Sequence, residues 1–435
     1  MDNVLTRCRS DGWALLILAL GILLLFLPVA AGWRGIFQDD QAMAEFPWHY
    51  FLAANFQKGE IPLWDQHTWC GAIPFYARYY ADTYYFPLWP FYLLARPANL
   101  DQAYWMISLL PLLVHYLLAA AGMYLFLRLT VRLRPLSSLA GAWVYVFSPA
   151  FSYSYVWFPI VAVQAWLPWL LVQVVGMDRH PGWGRVARAG MIIALMSLAA
   201  QPPHLGYGLL FAGLLSLGLA LRRFFRGEFR AVLRAPLLLA VALALGILLS
   251  AVYWLPALDG QRYTEQHIAL TYENVTGGDG SLPPLYLATL FAPDLFGSVD
   301  GRHIWGVDIT DNARYWEANL SGGLLLLFLM GVGLLPLRNR RGLRRLRFWS
   351  IFSAVMMILA LFCVLGRHTP FYRLFFKAIP VLSQFPFPIR YRMIECVAGA
   401  CLAALGTEVV AVWRRDKPWP ARAVWGYLGT AAAAV

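Results

Sequence analysis

Residues 13–32 read WALLILALGILLLFLPVAAG, a run of twenty residues without a charged side chain, and this run decides the fold class. A helix of about 20 apolar residues is long enough to cross the hydrocarbon core of a bilayer. Arg7 and Arg9 precede the run, as in a signal peptide, but the apolar part of a signal peptide is shorter. The sequence therefore predicts an uncleaved first span, and the segment that follows it is translocated to the other side of the membrane.

The rest of the chain has the same character. Apolar residues make up 60% of the sequence and charged residues 13%, whereas roughly a quarter of an ordinary soluble domain is charged. Long runs rich in Leu, Ala and Val favour membrane helices over barrel strands. Spans are predicted near residues 13–32, 102–127, 136–153, 157–176, 187–202, 205–221, 235–255, 318–337, 348–365 and 394–413, and an eleventh begins near 421. We predict an all-α polytopic membrane protein of about 11 transmembrane helices.

The basic residues predict the orientation of these spans. With the N-terminus in the cytoplasm, 23 of the 35 Lys and Arg residues fall in short cytoplasmic segments. This agrees with the rule that short cytoplasmic loops carry an excess of Lys and Arg. The net charge of +12 is thus explained by topology, and nucleic acid is not expected as a partner. The bilayer is the expected partner, and a bacterial cytoplasmic (inner) membrane the expected location.

The acidic residues divide the other way. Of the 23 Asp and Glu residues, 17 lie in three predicted extracytoplasmic loops, at 33–101, 256–317 and 366–395. The positive-inside rule does not require this bias, because acidic residues contribute little to orientation. We therefore expect the chemistry on the extracytoplasmic face, with short interfacial helices in the long first loop.

The ends and the cysteines add less. The five cysteines form no CxxC pair, so neither a disulfide framework nor a zinc site is expected. The chain ends in GTAAAAV at residues 429–435, inside an apolar stretch. We expect residues 1–435 to be a single transmembrane domain and an N-terminal fragment of a longer chain.

Asp39 and Asp40 form a carboxylate pair just beyond the first span. Two like charges this close raise each other's pKa, which suits a carboxylate that takes a proton from a substrate. A second interpretation is structural, since aspartate is a favoured helix N-cap and residues 45–50 are able to continue a helix. The local sequence leaves both interpretations open.

The remainder of the first loop is aromatic. Trp64 and Asp65 end the motif GEIPLWD at 59–65, and Asp82 opens the aromatic segment DTYYFPLWPFY at 82–92. Tyr and Trp are common where a membrane protein meets the lipid headgroups. Apolar sugar faces also stack on such rings, and the acids embedded in the segment fit sugar binding better than an aromatic belt.

These motifs resemble, in order, those of the YfhO-like family of bacterial membrane proteins. The series comprises Asp39-Asp40-Gln41, GEIPLWD at 59–65, CGAIPF at 70–75, QPPHLGY at 201–207, YWE at 315–317, LGRHTPFYR at 365–373 and FPFPIRYR at 385–392. The order of His and Gln at 201–207 departs from that family's pattern. The resemblance covers most of the chain.

The resemblance implies a GT-C type glycosyltransferase, which takes a sugar from a polyprenyl-phosphate carrier. The acceptor is then a cell-envelope polymer or glycan on the extracytoplasmic face. The acidic motif of the first loop serves there as the base or positions the acceptor, which implies that Asp39 and Asp40 are catalytic. Between the two, the interpretation favours Asp40.

Other candidates would bind the substrates. Arg367, His368, Arg390 and Arg392 lie in the third loop, where a guanidinium suits phosphate oxygens. The alternative for Arg390 and Arg392 is snorkelling at the end of a span. His204, in a turn after two prolines, and Glu317, just before a span, are further candidates for binding, with structural roles as the alternative.

Two other functions stay open. A lipid or glycan transporter would carry ionisable groups along the membrane midplane and broken helices in matching halves, and the sequence has few such charges and no repeat. A non-catalytic envelope-assembly protein would not need the Asp39–Asp40 pair. Asp39, Asp40 and Asp82 could together hold a divalent metal ion, but no cofactor or metal is expected.

Overall fold

The computed structural model describes residues 2–33, 40–65, 71, 82–260, 271–277, 280–292, 295–297, 305, 320, 322–338, 343–378 and 387–416. Every regular element in these ranges is helical. The α-helices are α1 (Asp2–Ala30), α2 (Phe46–Phe56), α3 (Trp89–Leu94), α4 (Leu100–Tyr104), α5 (Leu110–Leu125), α6 (Pro135–Phe147), α7 (Pro149–Ser152), α8 (Phe158–Arg179), α9 (Trp183–Leu198), α10 (Pro202–Phe224), α11 (Arg234–Leu249), α12 (Ala251–Gly260), α13 (Tyr272–Thr276), α14 (Gly323–Gly333), α15 (Arg347–Val364), α16 (Pro370–Ala378) and α17 (Arg392–Asp416).

Seven helical segments of the described chain are long and apolar enough to cross a membrane. They are Asp11–Ala30, Leu100–Val131, Phe158–Arg179, Pro202–Phe224, Phe229–Leu249, Arg344–Val364 and Pro388–Trp413. The helices α6 and α14 are apolar but shorter, and α9 has 16 residues. Each of the ten complete spans predicted above overlaps one of these helices. The chain is an integral membrane protein, whereas the count of eleven spans stays a prediction, since the eleventh lies outside the described residues.

The chain divides into two compact units. The first unit comprises Met1–Leu15, Met123–Tyr153 and Leu270–Val435, and the second comprises Leu16–Gly122 and Ser154–Ala269. Both units are built from segments distant in sequence, and the prediction of a single transmembrane domain over 1–435 stays a prediction.

In the first unit, α17 packs against α6, α14 and α15. The contact with α14 is close because both helices carry glycine there. A Cβ on Gly333 would lie 2.2 Å from the carbonyl oxygen of Leu402, and one on Gly406 would lie 1.9 Å from that of Leu329. Small residues let membrane helices approach until their backbones touch, and this packing replaces the hydrophobic drive that lipid removes.

This crossing gives the first prediction. Gly333→Ala should lower the free energy of unfolding by about 1–3 kcal/mol, because the added methyl forces two backbones apart. Gly331→Ala is the matched control, two residues away on α14, since a Cβ there meets nothing within 4 Å. Thermal unfolding in detergent compares the two, and equal stabilities would contradict the close crossing.

In the second unit, α9 packs against α8 and α11, and α10 against α8 and α11. A bidentate ion pair joins α8 to α10. Arg223 donates from Nε to Asp178 Oδ1 over 2.9 Å and from Nη2 to Asp178 Oδ2 over 3.1 Å. Arg223 also pairs with Glu228. The planar fork of arginine matches a carboxylate in this way.

The acids outside the three predicted extracytoplasmic loops form ion pairs with arginines. This holds for the four whose side chains the structure describes. Asp11 accepts from Arg128 Nε over 2.8 Å, Asp178 and Glu228 pair with Arg223, and Glu408 pairs with Arg345. Arginines that the sequence marked as orientation signals thus also hold helices together.

Glu408 joins three elements of the first unit. It is fully buried in α17, and its Oε1 accepts from Arg345 Nη2 over 2.5 Å. Its Oε2 accepts from the backbone N–H of Arg134 over 3.0 Å and from Ser137 Oγ over 2.9 Å. The carboxylate therefore ties α17 to the start of α6 and to the turn before α15.

Candidate functional site

The candidate site begins where the first predicted loop enters α2. Asp40 is the exposed N-cap residue of a π-turn, Gln41–Glu45, which leads directly into α2. In this turn the Phe46 N–H donates to Gln41 O, five residues back. Pro47, the second residue of α2, has no N–H to donate to the π-turn that precedes it. The segment thus presents one carboxylate to solvent at its start.

The inward side of the same segment carries polar groups. Gln41, Glu45 and His49 follow one another at intervals of four and are all buried. Side chains at this spacing lie on one face of a helix. His49 packs edge-on against the rings of Tyr92 and Phe158, at centroid distances of 5.9 and 5.8 Å. An acid and an imidazole are therefore enclosed by aromatic rings.

Asp82 completes this cluster, which we call the Glu45–His49–Asp82 cluster. His49 Nε2 lies 3.2 Å from Asp82 Oδ2 and 3.8 Å from Glu45 Oε2. The other ring nitrogen, Nδ1, lies 3.1 Å from the carbonyl oxygen of Ile107. Both nitrogens thus face acceptors, which fits an imidazolium donating to each.

The pKa values follow from this burial. Burial raises the pKa of Glu45 to about 8, and the charges of Asp82 and Asp40 act in the same direction against that of His49. Burial alone would lower the pKa of His49, but the charge and hydrogen bond of Asp82, with the charge of Glu45, raise it to about 9. Near neutral pH the cluster therefore holds a protonated Glu45 and a His49 imidazolium beside the Asp82 carboxylate.

This cluster makes stability depend on pH. The folded protein binds both protons more tightly than the unfolded chain, so their stabilising effect is largest at low pH and is lost as pH rises. The loss runs from about 4.5 to 8 for Glu45 and from about 6.5 to 9 for His49.

The melting temperature in detergent should accordingly fall most steeply between pH 6.5 and 8, where both losses overlap. Glu45→Gln should make this fall shallower, because residue 45 then no longer titrates and only the proton of His49 contributes to the pH dependence. Glu60→Gln, at an exposed glutamate after α2, is the matched control and should keep the wild-type slope. An unchanged slope in Glu45→Gln would contradict the assignment of its proton.

A second polar network lies deeper in the same unit. Tyr85 OH lies 2.7 Å from His115 Nε2, and Trp166 Nε1 donates to Tyr85 OH over 2.7 Å. His115 Nδ1 lies 2.7 Å from the carbonyl oxygen of Pro111. Because a carbonyl only accepts, Nδ1 carries the proton and Nε2 accepts from the tyrosine. Tyr85 lies three positions after Asp82 in the chain, so the same aromatic segment contributes to both the network and the cluster.

The other predicted residues of the first loop differ in exposure. Trp64 is 54% exposed, whereas Asp65 beside it is buried. The indole of Trp64 packs against Gly71: a Cβ added to Gly71 would lie 3.1 Å from the Nε1 of Trp64. Asp39 lies outside the described residues. The structure thus gathers Asp82 with Glu45 and His49, leaves Asp40 and Trp64 at the surface, and buries Asp65.

His204 also belongs to the second unit. It is buried in the first turn of α10, and its ring meets Tyr207 edge-on at a centroid distance of 5.8 Å. This position fits the structural interpretation of a turn histidine as well as a binding role. Glu317, the other candidate near a predicted span, lies outside the described residues.

The basic candidates lie in the first unit, at the start of α17 and before α16. Arg392 is buried, and its Nη2 donates to the carbonyl oxygen of Pro149 over 3.4 Å. The guanidinium of Arg390 lies over the ring of Phe387, 4.8 Å from its centroid. Arg367 and His368 are exposed, and partial burial, with the charge of Arg367, lowers the pKa of His368.

One acid near these arginines was not predicted as a site residue. Glu395 lies one helical turn after Arg392 and lines a narrow cleft. Ser148, Pro149, Leu326, Cys396 and Gly399 are among its other lining residues. An ionisable residue within a membrane segment is the signal that could have identified it.

Glu45 and His49 were also missed as site residues. The signal was present, because an acid and a histidine four residues apart share a helix face that is otherwise aromatic and apolar. Among the described residues, no three His, Cys, Asp or Glu side chains form a group suited to a metal ion. Since Asp39 lies outside this part of the chain, the expectation of a site without metal stays a prediction.

The comparisons with known proteins give a structural similarity at low sequence identity. The sequence matches no family profile and no curated protein. The structure resembles the crystal structure of ArnT from Cupriavidus metallidurans bound to undecaprenyl phosphate, with a TM-score of 0.43 and 12% sequence identity. The alignment covers 92% of this chain and 78% of that chain. This similarity assigns neither a family nor a substrate to the chain.

Proposed function

We propose that this protein is a GT-C type membrane glycosyltransferase that moves a sugar from a polyprenyl-phosphate carrier to a cell-envelope polymer or glycan. Transfer takes place on the extracytoplasmic face of a bacterial cytoplasmic membrane. The observation that carries the proposal is the exposed carboxylate of Asp40, placed just before a buried acid–histidine–acid cluster. The resemblance of the sequence motifs to those of the YfhO-like family supports the same assignment.

In the proposed reaction Asp40 is the general base. Its carboxylate takes the proton of the acceptor hydroxyl, and the hydroxyl oxygen bonds to the anomeric carbon of the sugar. The bond between that carbon and the carrier phosphate breaks, and the phosphate leaves with the electron pair. A base must reach its substrate, and the exposure of Asp40 meets this condition.

The buried Glu45–His49–Asp82 cluster supports the proposed role of Asp40 by holding the segment that carries it. The ion pair of His49 with Asp82 fixes α2 to the aromatic segment that follows Asp82. The protonated Glu45 places no further negative charge beside Asp40, because burial keeps it in its acid form near neutral pH.

Phosphate and sugar need different partners. Arg392, with Arg390 and Arg367, would bind the carrier phosphate, since a guanidinium offers paired donors to its oxygens. Trp64, with its exposed indole, would stack on the apolar face of a sugar ring. His368, Asp82, Asp65, His204 and Glu317 are kept as proposed binding residues, and no metal takes part in the proposal.

Mass spectrometry of the cell-envelope polymers tests the function. Cells lacking the gene should lose one sugar from an envelope polymer, and a copy of the gene should restore it. An identical set of envelope polymers with and without the gene would contradict the proposal. A transported lipid or glycan that accumulates on the cytoplasmic side would instead support the transporter, the main rival.

A non-catalytic assembly role predicts a different outcome. The sugar would then be lost in the deletion strain but restored by a gene copy carrying both Asp39→Ala and Asp40→Ala. A transferase with either aspartate as its base would not be restored by this copy. The same cells therefore distinguish an enzyme from an assembly protein.

A further inference from the structure

Helix α16 is a short amphipathic helix between two membrane-spanning helices. Its sequence is PFYRLFFKA, and it follows α15 after five residues and precedes α17 in the chain. Both neighbours qualify as spans, so α16 lies where the chain turns back at one membrane surface. A helix with an apolar face and a basic edge is the type that lies in the plane of that surface.

One side of α16 packs against other residues of the first unit. Tyr372 is fully buried, with its ring centroid 6.2 Å from that of Tyr391 and 6.4 Å from that of Tyr272. Phe376, one turn later, meets Tyr272 edge-on at 5.7 Å. The rotation of the helix about its axis is therefore set by aromatic packing.

A second side continues an apolar surface of α15. On α15 the exposed apolar residues follow at intervals of three and four, namely Ile351, Val355, Ile358 and Phe362. Phe362 contacts Phe371 at a centroid distance of 5.4 Å, and Phe371 stacks on Phe375 at 5.9 Å. Leu374 extends this surface with 69% of its side chain exposed. In a membrane protein such a continuous stripe is covered by acyl chains.

The third side of α16 is a basic edge. Arg373 and Lys377, one turn apart, are both exposed, and the guanidinium of Arg373 lies 5.8 Å from the ring centroid of Tyr272. Residues 366–378 contain no acid. The basic edge therefore lies beside the end of the apolar stripe, without a neighbouring carboxylate on its own segment.

We propose that α16 is an interfacial anchor that seats an anionic phospholipid of the bilayer. The acyl chains lie along the stripe that ends in Phe362 and Leu374, and Arg373 and Lys377 bind the headgroup phosphate. This role is independent of sugar transfer. The occupant is bulk phospholipid, and the polyprenyl phosphate of the proposed reaction is not required for it.

Lipid selectivity in vesicles tests the anchor. The full chain is reconstituted in phosphatidylcholine with spin-labelled phosphatidylglycerol or spin-labelled phosphatidylcholine, and electron paramagnetic resonance gives the fraction of each probe held at the protein. Arg373→Gln/Lys377→Gln should lower the preference for phosphatidylglycerol at this site roughly fivefold for each charge removed. Lys58→Gln/Arg96→Gln removes the same charge from exposed positions elsewhere and should leave the preference unchanged.

A depth measurement tests the apolar side. Leu374→Cys carries a spin label in a chain whose Cys8 and Cys70 are serine, because Cys363, Cys396 and Cys401 are buried. The label should collide with oxygen, which dissolves in lipid, more than with a water-soluble nickel complex. The same label at Lys58→Cys should show the reverse order.

Three results would overturn the proposal. The first is an unchanged lipid preference in Arg373→Gln/Lys377→Gln with a wild-type elution profile and melting temperature. The second is a label at residue 374 that meets the nickel complex as readily as the label at residue 58. The third is a preference that undecaprenyl phosphate abolishes and excess unlabelled phosphatidylglycerol leaves intact, since the bound lipid would then be the carrier.

Discussion

Replacing Asp40 by asparagine is expected to lower the rate of sugar transfer by about 10²–10⁴-fold, the usual contribution of a general base. Asparagine has nearly the same shape, and the Asp40 side chain makes no capping hydrogen bond, so the π-turn before α2 should persist. The lost function is the ability to take the proton of the acceptor hydroxyl. Sugar incorporated into the envelope polymer per unit time, measured in cells that depend on the variant gene, gives the rate.

Two matched variants accompany this prediction. Asp101→Asn removes an exposed carboxylate near the start of another helix in the same unit and should keep the wild-type rate. Asp39→Asn separates the two members of the pair. A full rate in Asp40→Asn with a lost rate in Asp39→Asn would move the base to Asp39 and leave the proposed function standing. Full rates in both would remove the catalytic role of the pair.

Replacing Glu408 by alanine is expected to lower the free energy of unfolding by about 3–5 kcal/mol, the largest loss of any single change considered, through the cavity it opens and the donors it leaves without an acceptor. The carboxylate is fully buried and accepts from Arg345, from Ser137 and from the backbone of Arg134. Its removal leaves these donors without their acceptor and opens a cavity in α17. Thermal unfolding in detergent, with size-exclusion chromatography for aggregation, measures the loss.

Arg345→Met should cost less than Glu408→Ala. The arginine side chain is half exposed, and Arg134 Nε still lies 3.7 Å from Glu408 Oε1 after its loss. The double variant should cost less than the sum of the two single changes, because each single change already breaks the same ion pair. Additive losses would contradict the described contact.

The membrane helices were predictable because the signal is local. An apolar run of about 20 residues has one stable arrangement in a bilayer, and each of the ten complete predicted spans overlaps a helix. The ends were less predictable. The span expected at 136–153 corresponds to α6, which already ends at Phe147. The next residue, Ser148, caps the short helix α7, because its Oγ accepts a hydrogen bond from the Phe151 N–H.

The candidate site was predictable only in part. Asp40 and Asp82 were identified from their positions, but the proximity of Asp82 to Glu45 and His49 depends on how the first predicted loop folds back on α2. The π-turn at Gln41–Glu45 changes which residues lie on the same face of the helix, and no sequence motif predicts this turn. Tertiary contacts also decide the partners of Glu408. The structure pairs it with Arg345 and Arg134, which belong to other elements.

The most direct test of the central claim is the amount of polyprenyl-phosphate-linked sugar in lipid extracts, measured by mass spectrometry. Cells whose only gene copy carries Asp40→Asn should accumulate this lipid-linked donor and lack the corresponding sugar on their envelope polymer, relative to cells with the wild-type gene. Equal amounts of lipid-linked sugar in the two strains, with the same envelope polymers, would contradict a transferase that uses Asp40.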